Sequence, residues 1–181
     1  IGSRSTALNI LSVRQRPIPS APSCLALTAD SGVSALARTP IVLISSAQFN
    51  TDGIGEPLIR IRDLTSEAPA IFTQEVHPTG YKVRPSDILV GMDGEFRAYL
   101  WGGTEAWLNQ RICLFVPKSG FTAAFVRNSI TEPLAHVETT EMATTVIHLG
   151  KSDIDRFRVI LPTREVLAVF QHGCQPWYDR I

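Results

Sequence analysis

The sequence predicts a mainly antiparallel β domain of the α+β type, an α/β protein in the broad sense, with a few helices packed against the sheet. Three observations carry this. Asp93-Gly94 sits between the apolar runs Ile88 to Met92 and Phe96 to Trp101, and an Asp-Gly pair in that setting marks a β-hairpin because glycine accepts a positive φ freely. The segment PLIRIRDL alternates apolar and charged residues with the period of a strand. After Lys118 the apolar spacing shifts to that of a helix, with Phe121, Ala124 and Phe125 on one face.

The chain of 181 residues has the length of one domain and is 44% hydrophobic and 19% charged, ordinary values for a protein with a packed core. No apolar run reaches the ~20 residues of a membrane span, and the first residues lack the pattern of a secretory leader. Cys24, Cys113 and Cys174 are far apart and odd in number, fitting neither a disulfide framework nor a zinc site. A reducing, cytoplasmic setting is expected, with no membrane partner.

Residues 1–39 have no assigned role. Arg16 to Ser23 contains three prolines and is expected to be an extended tether, and a short helix is expected between Leu25 and Ala37. The domain itself is placed at residues 40–181. It opens with the apolar run Ile41 to Ile44 and the polar, glycine-rich loop Ser45 to Glu56. In the strand that follows, Ile59 and Ile61 are expected on one face and Arg60 and Arg62 on the other, the two arginines about 7 Å apart. Tyr81 to Arg84 should form a short strand carrying Lys82 and Arg84 at the same spacing.

The hairpin comes next, then a strand from Arg111 to Val116 in which Cys113 is a buried apolar residue. Pro133 is expected to end the helix begun at Phe121, and a threonine-rich connection covers Thr139 to Thr145. Lys151 to Asp155 reads as one helical turn and Phe157 to Pro162 as the last strand. Thr163 reads as the N-cap of a helix from Arg164 to about His172, with Glu165 suited to its first turn.

The formal net charge is zero, yet arginine outnumbers lysine 14 to 3. Guanidinium groups suit phosphate and guanine, and the same excess fits a genome rich in GC. Nucleotide-binding, hydrolase and metalloprotease motifs are absent from the sequence. Asp87, Asp93 and Glu95 are open to an acid–base reading as a carbohydrate-acting enzyme, although Asp93 is explained by its turn. His77, His136, His148 and His172 show no metal-ligand spacing. Trp101 and Trp107 flank Gly102-Gly103, with Asn109, Gln110 and Arg111 just beyond. Aromatics, amides and arginine around one corner suit a surface that binds nucleic acid, and suit an ordinary β corner as well.

Four segments in order, GIGEPLIRIRDL, PSDILVGMDGEF, LNQRICLFVPK and HLGKSDIDRFRVILPTRE, resemble the target recognition domain of type I restriction–modification specificity subunits. That family carries a G-x-P-x-I-R-x-x-D-L strand, a G-D-I-L-V-x-x-D-G hairpin, an N-Q-R-[IV] strand and an L-P-x-x-E junction. Ser86 stands where the family usually has glycine. The resemblance implies a curved, mainly antiparallel sheet and a non-catalytic reader of double-stranded DNA. It also implies an adenine methyltransferase subunit and a restriction/translocase subunit as partners.

S-adenosylmethionine, ATP and Mg would belong to those partners, and none to this chain. Because a full specificity subunit has two such domains joined by helices, this chain is expected to be a half-subunit, a truncated product or an isolated domain, completed by a second domain or a homodimer. Phosphate contacts are expected from Arg60, Arg62, Lys82, Arg84 and Lys118, and base contacts from Arg97, Trp101, Asn109 and Gln110. A protein-interaction module without DNA reading is the alternative.

Overall fold

The computed structural model describes residues 28–39, 48–76, 78, 80–140 and 147–178. The tether at 16–23, the apolar run at 41–44 and the threonines at 144–145 lie outside them. The strands are β1 (Thr28–Gly32), β2 (Ala37–Arg38), β3 (Glu56–Ile59), β4 (Ile71–Thr73), β5 (Lys82–Val83), β6 (Ile88–Gly91), β7 (Ala98–Leu100), β8 (Ala106–Leu108), β9 (Ile112–Pro117) and β10 (Arg158–Leu161). The helices are α1 (Ala123–Thr140), α2 (Lys151–Asp155) and α3 (Arg164–Tyr178).

These elements form two four-stranded sheets, ordered β2-β9-β6-β7 and β4-β3-β8-β5, and an antiparallel pair β1-β10. Every pairing is antiparallel except β3 with β8. The first sheet is the middle layer. Ile88 and Val90 of β6 and Cys113 and Phe115 of β9 enter one core, together with Val126, Ile130 and Leu134 of α1 and Val159 of β10. Leu89, Ile112 and Leu114 face the other way, into a second core with Leu58, Ile59, Ile71, Val83 and Leu108 of the second sheet. A sheet covered on both faces needs unbroken apolar strands, which is why ILVG and ICLF do not alternate. Burial of Cys113 pushes its thiol pKa up to about 12.

Several expectations are corrected. Residues 28–38 form β1 and β2, paired with β10 and β9, and the short helix expected in this stretch is a single 3-10 turn at Val33–Ala35 between them. The alternation in PLIRIRDL stops at Ile59, and Ile61–Asp63 is a 3-10 turn. The Asp63 carboxylate accepts the Arg60 N–H at 2.8 Å, a local bond that ends the strand. The hairpin between β6 and β7 is wider than a two-residue turn: its last pair is Val90↔Ala98. Met92 N–H turns instead to the Arg111 carbonyl at 2.9 Å, and Leu149 N–H to the Met92 carbonyl at 2.8 Å.

α1 runs through Pro133. Proline removes one helical hydrogen bond, but Ile130 and Leu134 on either side are fully buried in the first core, and that packing holds the helix in line. α3 begins as expected, with the Thr163 carbonyl accepting Leu167 N–H at 2.9 Å, and extends past His172 to Tyr178. Hydrogen bonds from its own N–H and from the Thr163 hydroxyl hold the Glu165 carboxyl below its ordinary pKa. Phe170 meets Phe125 edge-on at 5.6 Å, docking α3 on α1.

Candidate nucleic-acid interface

The residues expected to bind DNA separate into three kinds. Trp101 and Asn109 are built into the fold. Trp101 is fully buried, and its indole N–H donates to the Thr104 carbonyl at 2.9 Å. The two glycines after it serve that placement. A Cβ on Gly103 would sit 2.6 Å from the Trp101 ring and 2.2 Å from the Glu67 carbonyl, and one on Gly102 would sit 2.6 Å from the Glu67 carboxylate. Asn109 is 5% exposed, and its side-chain oxygen accepts the Arg111 N–H at 2.9 Å. It is the turn residue joining β8 to β9. Neither residue offers a surface to a base, so both are corrected from reader to scaffold.

Lys82, Arg84 and Arg97 are exposed or half-exposed but paired with acids. Lys82 Nζ lies 3.0 Å from Glu56 and 3.7 Å from Glu105. Arg84 Nε lies 3.2 Å from the same Glu105. The ammonium of Lys82 also stands 5.1 Å from the centre of the Trp107 ring, a cation–π position. Its Glu56 hydrogen bond, first among several contacts, raises the Lys82 pKa. Arg97 pairs with Glu95 at 2.7 Å. Phosphate would have to compete with a carboxylate at each of these cations.

Arg60, Arg62, Gln110 and Lys118 remain. Arg60 turns its guanidinium to within 5.7 Å of the centre of the Phe49 ring and reaches Asp63 only at 4.0 Å. Its Nε is buried without a hydrogen-bond partner among the described residues. Arg62 is exposed and has no ion pair among the described residues, as does Arg38 of β2. Gln110 is exposed in the β8–β9 turn. Lys118 is exposed and donates to the Ser34 carbonyl, and with Arg38, Ser34 and Thr39 it lines a cleft of about 290 Å³.

The cations do not form one ledge. Leu58 and Ile59 pair with Trp107 and Leu108, while Lys82 and Val83 pair with Trp107 and Ala106. Arg60 therefore continues beyond the Leu108 end of the second sheet and Arg84 beyond the Ala106 end. Four residues of strand separate them, about 13 Å.

The three carboxylates weighed for catalysis are likewise held apart in separate duties. Asp87 accepts the Arg84 N–H at 2.8 Å, and burial raises its pKa. Asp93 lies 2.8 Å from His148 Nδ1 and 3.4 Å from Arg111. Glu95 is bound to Arg97. Among the described residues no group of three His, Cys, Asp or Glu side chains converges as a metal site, and no helix is long and apolar enough to cross a membrane.

The sequence places a loop from Ser45 to Glu56 but assigns no role to its described part, 48–55. Its polar, glycine-rich composition was legible, but the aromatic–guanidinium contact between Phe49 and Arg60 joins residues that no local pattern connects.

No protein-family profile matches the chain. Over 118 residues, 65% of the chain, it is 34% identical to the type I restriction enzyme EcoBI specificity subunit of Escherichia coli, and it spans 25% of that relative's length. In fold it is similar to the HsdS subunit of Thermoanaerobacter tengcongensis, with a TM-score of 0.55 and 14% identity over 91% of this chain and 41% of that one. It is also similar to the type I restriction–modification S subunit of M. genitalium, with a TM-score of 0.51 and 12% identity over 82% of this chain and 40% of that one. The α+β fold is thus similar to part of these specificity subunits, and the resemblance seen in the four segments holds.

Proposed function

We propose that this chain is a DNA target recognition domain that reads one half of a bipartite sequence for a type I restriction–modification complex. The observation that carries this is the 34% identity to a specificity subunit over 65% of the chain. The fold shared with two further such subunits agrees with it. Exposed guanidiniums without carboxylate partners among the described residues, Arg38 and Arg62, supply phosphate contacts, and Lys118 adds an ammonium. With a formal net charge of zero, long-range attraction to DNA is weak, so the chain depends on partner subunits for part of its affinity.

In this reading the chain is non-catalytic. An adenine methyltransferase subunit and a restriction/translocase subunit act on the site it selects, and S-adenosylmethionine, ATP and magnesium belong to them. The test is co-expression with a type I methyltransferase subunit, followed by mapping of methylated adenines in host DNA. A stable complex that methylates a defined sequence is expected. A chain that neither joins the subunit nor directs methylation to any sequence would remove the proposal.

A further inference from the structure

Six large apolar side chains are strongly exposed among the described residues, and three of them, Phe49 at 51%, Ile54 at 53% and Val76 at 82%, belong to one place. They stand on the Gln48–Gly55 loop and on the exit from β4, which are joined by reciprocal Asn50–Phe72 backbone bonds of 2.8 and 2.9 Å. Between the two segments runs a groove of about 460 Å³ lined by Gln48, Phe49, Asn50, Gln74 and Glu75.

The loop is fixed in shape. The Asn50 side chain donates to the Ile54 carbonyl at 2.8 Å and accepts the N–H groups of Asp52 and Ile54 at 3.1 Å each. The Thr73 hydroxyl donates to the Gln48 carbonyl at 2.9 Å and accepts Glu75 N–H at 3.1 Å. Gly55 has φ +98 and a Cβ there would lie 2.3 Å from the Thr73 carbonyl, so the loop is seated against β4 where only glycine fits. Every one of these bonds uses Asn50, Thr73 or the backbone. The side-chain amides of Gln48 and Gln74 are exposed and uncommitted. Arg60 flanks the loop, its guanidinium 5.7 Å from the centre of the Phe49 ring, and exposed Arg62 follows two residues later in the chain.

We infer that this groove is the base-reading element of the DNA surface, and that it takes A·T base pairs in the major groove. A planar amide pairs bidentately with the N6 and N7 edge of adenine, and an aromatic ring packs on the thymine methyl. A preorganised loop presents such groups with little ordering on binding. Glu75 on the groove wall disfavours a phosphate inside it, while the Arg60 guanidinium beside Phe49 suits the backbone outside. The inference rests on the DNA-reading proposal above.

The test is selection of the full chain on a random-sequence duplex library at low salt, alongside Gln48→Ala, Gln74→Ala and Phe49→Ala, whose unchanged melting temperatures are checked first. The wild type is expected to enrich a short motif containing A·T pairs. Each glutamine variant should lose roughly tenfold preference at one of those pairs and keep the rest, and Phe49→Ala should lose discrimination of thymine. A wild-type motif retained by all three variants overturns the inference and leaves DNA reading intact. A wild type that enriches no motif, alone or in complex with a type I methyltransferase subunit, removes the reading and the inference together.

Discussion

The backbone N–H of Ser86 donates to the carbonyl of Trp101 at 2.8 Å, and Trp101 N–H returns to the Asp87 carbonyl at 2.9 Å. This exchange extends the β6–β7 ladder by one step and anchors the buried indole. It also forces Ser86 to φ +76, in a turn with Pro85 before it and Asp87 N–H on the Arg84 carbonyl at 3.1 Å. Proline followed by a positive-φ residue is the pattern of a type II turn, whose second central position favours glycine.

Ser86→Gly should therefore stabilise the chain. A left-handed conformation strains a residue with a Cβ by about 1–2 kcal/mol, and the added freedom of glycine in the unfolded chain takes back part of this. A net gain of about 0.5–1 kcal/mol in urea unfolding is expected, with the slope unchanged. A loss of stability would mean that the serine hydroxyl has a role the geometry does not display.

Arg60 and Arg62 should behave differently when each is changed to alanine. Asp63 is 3% exposed, and Arg60 is its neighbouring cation, so Arg60→Ala leaves a buried carboxylate with less compensation and uncovers Phe49. A stability loss of about 1–3 kcal/mol is expected, together with weaker DNA binding. Arg62→Ala should leave the melting temperature unchanged, weaken binding and flatten its salt dependence by about one counterion. Equal effects of the two changes on melting temperature would sink this distinction.

Trp101→Ala should unfold or severely destabilise the chain, by about 3–5 kcal/mol, whereas Gln110→Ala should fold like the wild type. Chemical denaturation of the two variants checks this. A Trp101→Ala protein of normal stability and weakened DNA binding would restore the indole as a reader.

The two described thiols should differ in reactivity. With the pKa of Cys113 pushed up to about 12 by burial, almost none of it is thiolate at neutral pH, and thiolate is the reactive form. Cys174, half-buried on α3, should label readily. In a Cys24→Ser background, a chromogenic disulfide reagent should titrate one thiol in the native protein and a second only in denaturant.

Much of the fold was legible in the sequence, and the lapses have physical causes. The strands around Val90 and Leu114, the one-turn helix at 151–155 and the Thr163 cap were all placed by local patterns. Arg60 and Arg62 were misread because period-2 alternation describes a strand only while the ladder continues, and Asp63 ends it with a single local bond. Pro133 was misread as a stop because packing of Ile130 and Leu134 outweighs one missing hydrogen bond. At the interface, the residue types were visible but their commitments were not. Trp101 and Asn109 have the chemistry of readers, and only the three-dimensional arrangement shows that Thr104 and Arg111 already claim it.

The three tryptophans lie in different surroundings: Trp101 fully buried, Trp107 8% exposed and Trp177 70% exposed on α3. All three fluoresce, but a water-borne quencher reaches only the last. The chain thus carries its own optical partition, in which blue-shifted, shielded emission follows the second core and red-shifted, quenchable emission follows the outer helix. A partner laid along α3 would dim or shift one part of that spectrum and leave the other in place, with no label added.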